Sequence, residues 1–315
     1  MAEQGLFLQN IIAIIWDFDK TLSPHNMQKP LFEHYGIVEE NFWKEVNALP
    51  GYYAQAGVKI QEDTCYLGHI LSYVKHGSMP GLSNAKLKEL GADIELFQGV
   101  PECFDALGKT LDTPEFRQGD LRLEHYIVST GLEAMIQGSP IADHVNGIWA
   151  SAFIEEPAAP NQDFTQPPGA GEISHIAGFL DNTTKTRAIF EINKGVNVSE
   201  HISVNDAIPR EKRRVPFENM IYIADGPSDI PSFSVMNQNG GLAYAVHDPD
   251  SDAHYKQAMH LCESGRVHQY GPADYRPESP TFNWLKVKIE KMAERIMSER
   301  SLHTEAAVKK APTHG

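Results

Sequence analysis

The sequence predicts an α/β protein, a doubly wound, mostly parallel sheet with an inserted α-helical cap domain. Three observations lead there. Apolar runs recur through the chain, "IIAIIW" (11–16), "EHYIVSTG" (124–131), "GIWASAFI" (147–154), "NMIYIA" (219–224) and "GGLAYAVH" (240–247), with helix-patterned segments among them. The first run is continuous and β-branched, as a strand buried on both faces requires. Between Pro24 and Gln98 the alternation stops, and about 75 residues carry helical periodicity alone.

Taken in order, "IIAIIW" is the first strand. In the insertion, Val38, Phe42, Val46 and Leu49 share one helical face, as do Leu67, Ile70, Leu71 and Val74. "SNAKLKELG" reads as a helix from a Ser83 cap to a Gly91 stop. Pro101 suits the first turn of a helix returning to the core. "EHYIVSTG" is the second strand, a helix covers 131–137, and "GIWASAFI" is the third strand. Residues 155–178, rich in Pro and Gly, read as an irregular excursion or poor hairpin. "TTKTRAIFEINKG" is a capped helix ending at Gly195. Residues 197–217 read as a surface loop, in which "REKRR" is a solvated charge run. Leu285, Ile289, Met292 and Ile296 line one face of a last helix that docks on the sheet. The expected domains are a discontinuous core (1–24 and 99–300), a helical cap (25–98) and a frayed tail (301–315).

Across 315 residues, 27 basic against 42 acidic side chains leave a net charge of −15. A nucleic acid or an anionic membrane would be repelled at long range, so neither is expected as a partner. Cys65, Cys103 and Cys262 are sparse, odd in number and in no CxxC pattern, which suits free thiols in a reducing compartment. The first sixteen residues lack the basic head and cleavage site of a signal peptide, and no segment approaches the ~20 apolar residues of a membrane span. A cytoplasmic location is expected.

In open α/β sheets the ligand crevice lies at the carboxyl ends of the strands. Asp17 and Asp19 follow the first strand, Ser129 the second, and Asp225 and Asp229 the strand ending at Ala224. Lys185 opens its helix and is free to point to the same edge. Like charges held this close call for a cation. An all-oxygen site without Cys or His favours Mg²⁺, which takes one or two carboxylates and completes its shell with water and phosphate oxygen. Such a site can neutralise a transferring phosphoryl group, with Asp17 as carboxylate nucleophile and Asp19 as acid and base.

With those residues in place, "WDFDKTLS", "IVSTG", "KTRAIF" and "IADGPSD" resemble, in order, the four motifs of the haloacid dehalogenase-like hydrolases. The insertion after the first motif is similar to the cap of the phosphoserine phosphatase-like branch. The resemblance covers residues 11 to 247. It implies Asp17 as nucleophile and Mg²⁺ ligand, and Asp19 as acid/base with its backbone carbonyl on the metal. It further implies Asp225 as a metal ligand, Asp229 in the surrounding acidic shell, and Ser129 and Lys185 on the phosphate. Ala224 stands where that family's fourth motif has its first Gly. The expected activity is Mg²⁺-dependent hydrolysis of a small phosphomonoester through an aspartyl-phosphate. A phosphotransferase or phosphomutase, or a non-catalytic binding protein on the same fold, are the alternatives; dehalogenation has no need of Asp19.

Other candidates have blander explanations. Lys194 suits the dipole at its helix end. His247, Asp248, Asp252 and His254 read as a strand end followed by a capped helix start. Trp16 and Phe18 pack beneath the nucleophile. His25, Lys29 and Tyr52 lie where a substrate's organic part could rest, although pockets use few polar groups.

Overall fold

The computed structural model describes residues 7–309, with side chains to residue 301. Seven strands form one sheet: β1 (Ile11–Trp16), β2 (Arg122–Leu132), β3 (Gly147–Ile154), β4 (His175–Gly178), β5 (Met220–Ala224), β6 (Leu242–His247) and β7 (Gln269–Pro272). Their spatial order is β4-β3-β2-β1-β5-β6-β7. All pairings are parallel except β3 with β4. Every residue of β1 is buried, as its apolar run predicts. Its pleat divides the core: Ile12, Ile14 and Trp16 join one apolar cluster, Ile11, Ala13 and Ile15 the other.

Six helices lie between β1 and β2, and the first four make up the insertion: α1 (Lys29–Tyr35), α2 (Glu39–Ala54), α3 (Cys65–Lys75) and α4 (Asn84–Gly91). The core adds α5 (Glu102–Gly108), α6 (Pro114–Gln118), α7 (Glu133–Gly138), α8 (Lys185–Lys194), α9 (Ile230–Asn239), α10 (Asp252–Glu263) and α11 (Pro280–Lys309). Ser83 caps α4 as read, accepting from the Lys86 N–H at 3.1 Å. Gly91 is not a left-handed stop; it is the last helical residue. A Cβ there would stand 2.1 Å from the Met135 carbonyl oxygen, and one on Gly138 would stand 1.7 Å from that of Lys88. Two glycines therefore let α4 and α7 meet backbone to backbone.

Several expectations are revised. Val38 is the exposed N-cap of α2 rather than part of its buried face, which is Phe42 and Val46. The excursion at 155–178 ends in β4, the antiparallel edge strand, and its Ile173 N–H bonds the Leu82 carbonyl at 2.8 Å. β7 carried no apolar signal and adds a further parallel strand. Within "REKRR", Arg214 is buried, donating to Glu124 at 2.8 and 2.6 Å and to the Tyr126 hydroxyl at 2.8 Å. A buried guanidinium needs such partners, and these fasten the 197–217 loop to the start of β2. Lys194 likewise donates to the carbonyls of Val204 and Asp206 in that loop. The face Leu285–Ile289–Met292–Ile296 packs in the core. Its helix continues in backbone to Lys309, past residue 301 where fraying was expected, through the helix-favouring "TEAAVK". Residues 310–315 lie outside the described residues. Among the described residues no helix is long and apolar enough to cross a membrane.

Candidate active site

Two strand ends, those of β1 and β5, bring the carboxylates together. The Asp17 N–H donates to the Ile223 carbonyl at 2.9 Å, tying the exit of β1 to β5. Asp225 follows β5 directly, and Asp229 ends the short 3₁₀ turn Pro227–Asp229 before α9. One oxygen each from Asp17, Asp225 and Asp229 lies within 4.8 Å of the others. The Lys185 ammonium, at the first residue of α8, donates to Asp17 Oδ1 at 2.7 Å and to Asp229 Oδ1 at 2.8 Å. Asp181 holds that helix start, its Oδ1 accepting from the N–H groups of Thr183 and Thr184. Asp17 is 5% exposed, Lys185 1% and Asp229 0%.

Asp19 stands outside this trio. Its Oδ1 accepts from the Met27 N–H at 2.8 Å, at the start of the helical insertion. Ser129 does not follow β2; it sits inside it, where the register on β3 shifts between Val128 and Leu132. Its hydroxyl oxygen accepts from the Gly131 N–H at 3.0 Å, leaving the hydroxyl hydrogen free to donate. Ala224, in place of the family's Gly, is a buried β5 residue paired with Ala245, and Asp225 still leaves the strand at the site.

The electrostatics follow from burial. Desolvation pushes the Asp19 carboxyl up to about 7, with the neighbouring Asp17 adding to it. Asp225 is pushed up to about 8 by burial and then by Asp17 and Asp229. Burial raises Asp17 too, against the pull of Lys185. Burial works against the Lys185 ammonium, but Asp17 and Asp229 outweigh it and hold its pKa well above the ordinary value. Fully ionised, the three carboxylates would exceed the one ammonium by two negative charges, the charge that a single divalent cation balances.

Sequence reasoning passed over several side chains here. The Thr21 hydroxyl donates to Asp17 Oδ2 at 3.1 Å; it is the Thr of the first motif and had a signal in the spacing. The Tyr222 hydroxyl donates to Asp229 Oδ1 at 2.6 Å, and nothing in β5 marks it out from its apolar neighbours. Among the contacts considered in the insertion, His25 and Lys29 pair with Glu95 at 3.3 and 3.6 Å, and Tyr52 is 66% exposed. His247 packs against Tyr255 and Tyr270, and Ser251 caps the helix holding Asp252 and His254. A cleft of about 350 Å³ between α2, α3 and Phe179, and another of about 450 Å³ beside Glu95 and Arg276, both omit the carboxylates.

Over 290 residues the chain is 37% identical to an uncharacterized protein of Borreliella burgdorferi, spanning 89% of this chain and 97% of that one. The chain belongs to that protein's family. No family model matches it. The sheet is mostly parallel and the helical insertion follows its first strand, the arrangement expected from the resemblance to the haloacid dehalogenase-like hydrolases. A hydrolase of that family from Salmonella enterica serovar Typhi aligns with 83% of this chain and 66% of its own, at 14% identity and a TM-score of 0.47. A phosphoserine phosphatase in its apo form aligns with 84% of this chain and 96% of its own, at 14% identity and a TM-score of 0.47.

Proposed function

We propose that the protein is a Mg²⁺-dependent phosphatase that hydrolyses a small phosphomonoester through an aspartyl-phosphate on Asp17. The observation that carries this reading is the trio of carboxylates, Asp17 and Asp229 buried and Asp225 half-buried, with one ammonium bonded to Asp17 and Asp229. All-oxygen donors in a two-charge deficit fit a hard divalent cation, and neither His nor Cys joins them. Asp17, the Asp19 backbone carbonyl and Asp225 would hold it, with Asp229 held against Lys185 beside them. The bound ion supplies positive charge where the phosphoryl oxygens gather.

The chain's own groups do the rest. Thr21 and Lys185 fix the two Asp17 oxygens, so the carboxylate is aimed before substrate arrives. An Asp17 oxygen forms the bond to phosphorus as the ester oxygen leaves with the bonding pair. Asp19, whose pKa near 7 lets it carry a proton at neutral pH, protonates that oxygen. It then takes a proton from water as the water oxygen attacks phosphorus and the Asp17–phosphorus bond breaks. The Ser129 hydroxyl hydrogen and the Lys185 ammonium serve the phosphoryl oxygens. The 25–98 segment is the cap that shields the intermediate, the remainder up to residue 300 is the hydrolase core, and the partner is a small phosphorylated molecule.

The test is phosphate release from a panel of phosphomonoesters, an activated aryl phosphate among them, with Mg²⁺ present. Asp17→Asn should stay folded and lose activity by several orders of magnitude; no release by the wild-type protein from any panel member defeats the reading.

A further inference from the structure

Tyr66, on α3, crosses from the insertion to the core. Its phenol donates to the Thr130 carbonyl at 2.7 Å, one residue beyond Ser129, and its side chain is 5% exposed. The Ser151 hydroxyl donates to the same carbonyl at 3.2 Å. The phenol oxygen also lies within reach of the Gln28 amide and feels the charge of Asp19. Gln28 stands next to Met27, whose N–H holds Asp19. With its nitrogen turned to the phenol, the Gln28 amide presents Oε1 as the other end. That oxygen is buried without a hydrogen-bond partner, on a residue 2% exposed. An acceptor left unmade at such depth costs about 1–3 kcal/mol. Its backbone neighbour Met27 holds Asp19, the proposed proton donor to the leaving oxygen, which puts Gln28 on the side of the site where the organic half of a phosphomonoester would lie.

We infer that Gln28, oriented by Tyr66, recognises the leaving group, its Oε1 accepting from a hydroxyl of a small uncharged polyol. The inference rests on the phosphatase reading and narrows it. Met27, Gln28, Tyr66, Thr130 and Ser151 include no cation. Lys185 is held by Asp17 and Asp229, while His25 and Lys29 are held by Glu95. A leaving group bearing a carboxylate would enter this chamber unpaired, at a desolvation cost that an uncharged hydroxyl avoids. Lys20 acts on Asp19 and Asp225 from an exposed position.

The experiment compares kcat/KM of the Mg²⁺-loaded full chain on glycerol phosphate, phosphoserine, phosphoethanolamine and nitrophenyl phosphate. Glycerol phosphate should exceed phosphoserine, whose carboxylate finds no cation here, by at least about tenfold, which corresponds to about 1.4 kcal/mol. Gln28→Met should lower the ratio of glycerol phosphate to nitrophenyl phosphate by a similar factor, through KM. Tyr66→Phe, which leaves the amide unoriented, should lower the same ratio and serves if Gln28→Met does not fold. Preference for phosphoserine, or an unchanged ratio in a folded variant, overturns the inference while nitrophenyl phosphate turnover keeps the phosphatase reading. Loss of all turnover in the wild-type protein defeats both.

Discussion

Beneath Asp17 the Trp16 indole donates to His125 Nδ1 at 3.1 Å, which fixes the imidazole as the tautomer protonated on Nε2. Protonation would set two N–H groups against each other in a buried site. Burial holds the His125 pKa down near 3, against an ordinary value of 6.5. A base depressed in the folded state adds stability that is complete above 6.5 and is lost as pH falls toward 3. The slope is about 1.4 kcal/mol per pH unit, or about 2 kcal/mol by pH 5. Asp19 and Asp225, raised by burial, work in the opposite direction over pH 4 to 8, since their protonated forms suit the fold. The difference between wild-type protein and His125→Gln isolates the histidine. Denaturant titrations between pH 7 and 5 should show a smaller loss in the variant, whose amide can still accept from Trp16; parallel curves would refute the assignment. Gly131→Ala checks the neighbouring turn. Its Cβ would stand 2.2 Å from Met27 Cε and 3.2 Å from Ser129 Oγ, so Met27 must yield. About 1–3 kcal/mol of stability should be lost, together with activity, because Met27 also positions Asp19. At this scale the sequence disclosed side chains at strand ends. It concealed Gln28 and Tyr66, whose meaning comes from an unmade hydrogen bond and a contact 64 residues away.

The helices of the insertion do not all have the same freedom. α4 is fastened to the core by the close approach of Gly91 and Gly138, and by Asn84, which donates to Glu155 at 2.7 Å and to the Phe153 carbonyl at 3.0 Å. α3 meets the core through Tyr66 on Thr130, and the loop before it through Gln61, which donates to Asp181 Oδ2 at 2.6 Å. Two side-chain hydrogen bonds are easier to break than a backbone-to-backbone seam. Opening should therefore move residues 25–75 and leave 84–91 in place, a smaller unit than 25–98. Beryllium fluoride with Mg²⁺, standing for the phosphoryl group on Asp17, should slow hydrogen exchange around Gln28 and Tyr66 and leave α4 unchanged. Uniform protection from 25 to 98 would restore the whole insertion as the moving unit, and no protection would make it a fixed wall. The elements with strong local patterning, β1, β5 and α11, were legible in sequence. β7 was not, since "QYGP" has no apolar run and ends in a Pro that an edge strand tolerates. The Glu124–Arg214 pair was equally hidden, because its partners lie 90 residues apart.

For the molecule as a whole, the net charge of −15 acts against the reaction proposed for its site. A phosphomonoester dianion approaching from solution meets repulsion at any distance within the Debye length, which is about 30 Å at 0.01 M salt and about 8 Å at 0.15 M. Inside the crevice the balance reverses under the proposed mechanism, because Lys185, Ser129 and the divalent ion proposed for the carboxylates would act over a few ångströms. Salt should therefore screen the long-range repulsion and spare the short-range attraction. With Mg²⁺ saturating, kcat/KM for a dianionic substrate should rise about two- to threefold between those ionic strengths, and kcat, which follows binding, should stay level. An uncompensated basic face at the mouth would steer the substrate and give the opposite slope. Lys20 is an exposed cation near Asp19 and Asp225, so Lys20→Gln supplies the control. Its removal should steepen the rise, by taking away the local attraction that low salt enhances. A fall of kcat/KM with salt in the wild-type protein would mean that the local field, and not the net charge, governs capture.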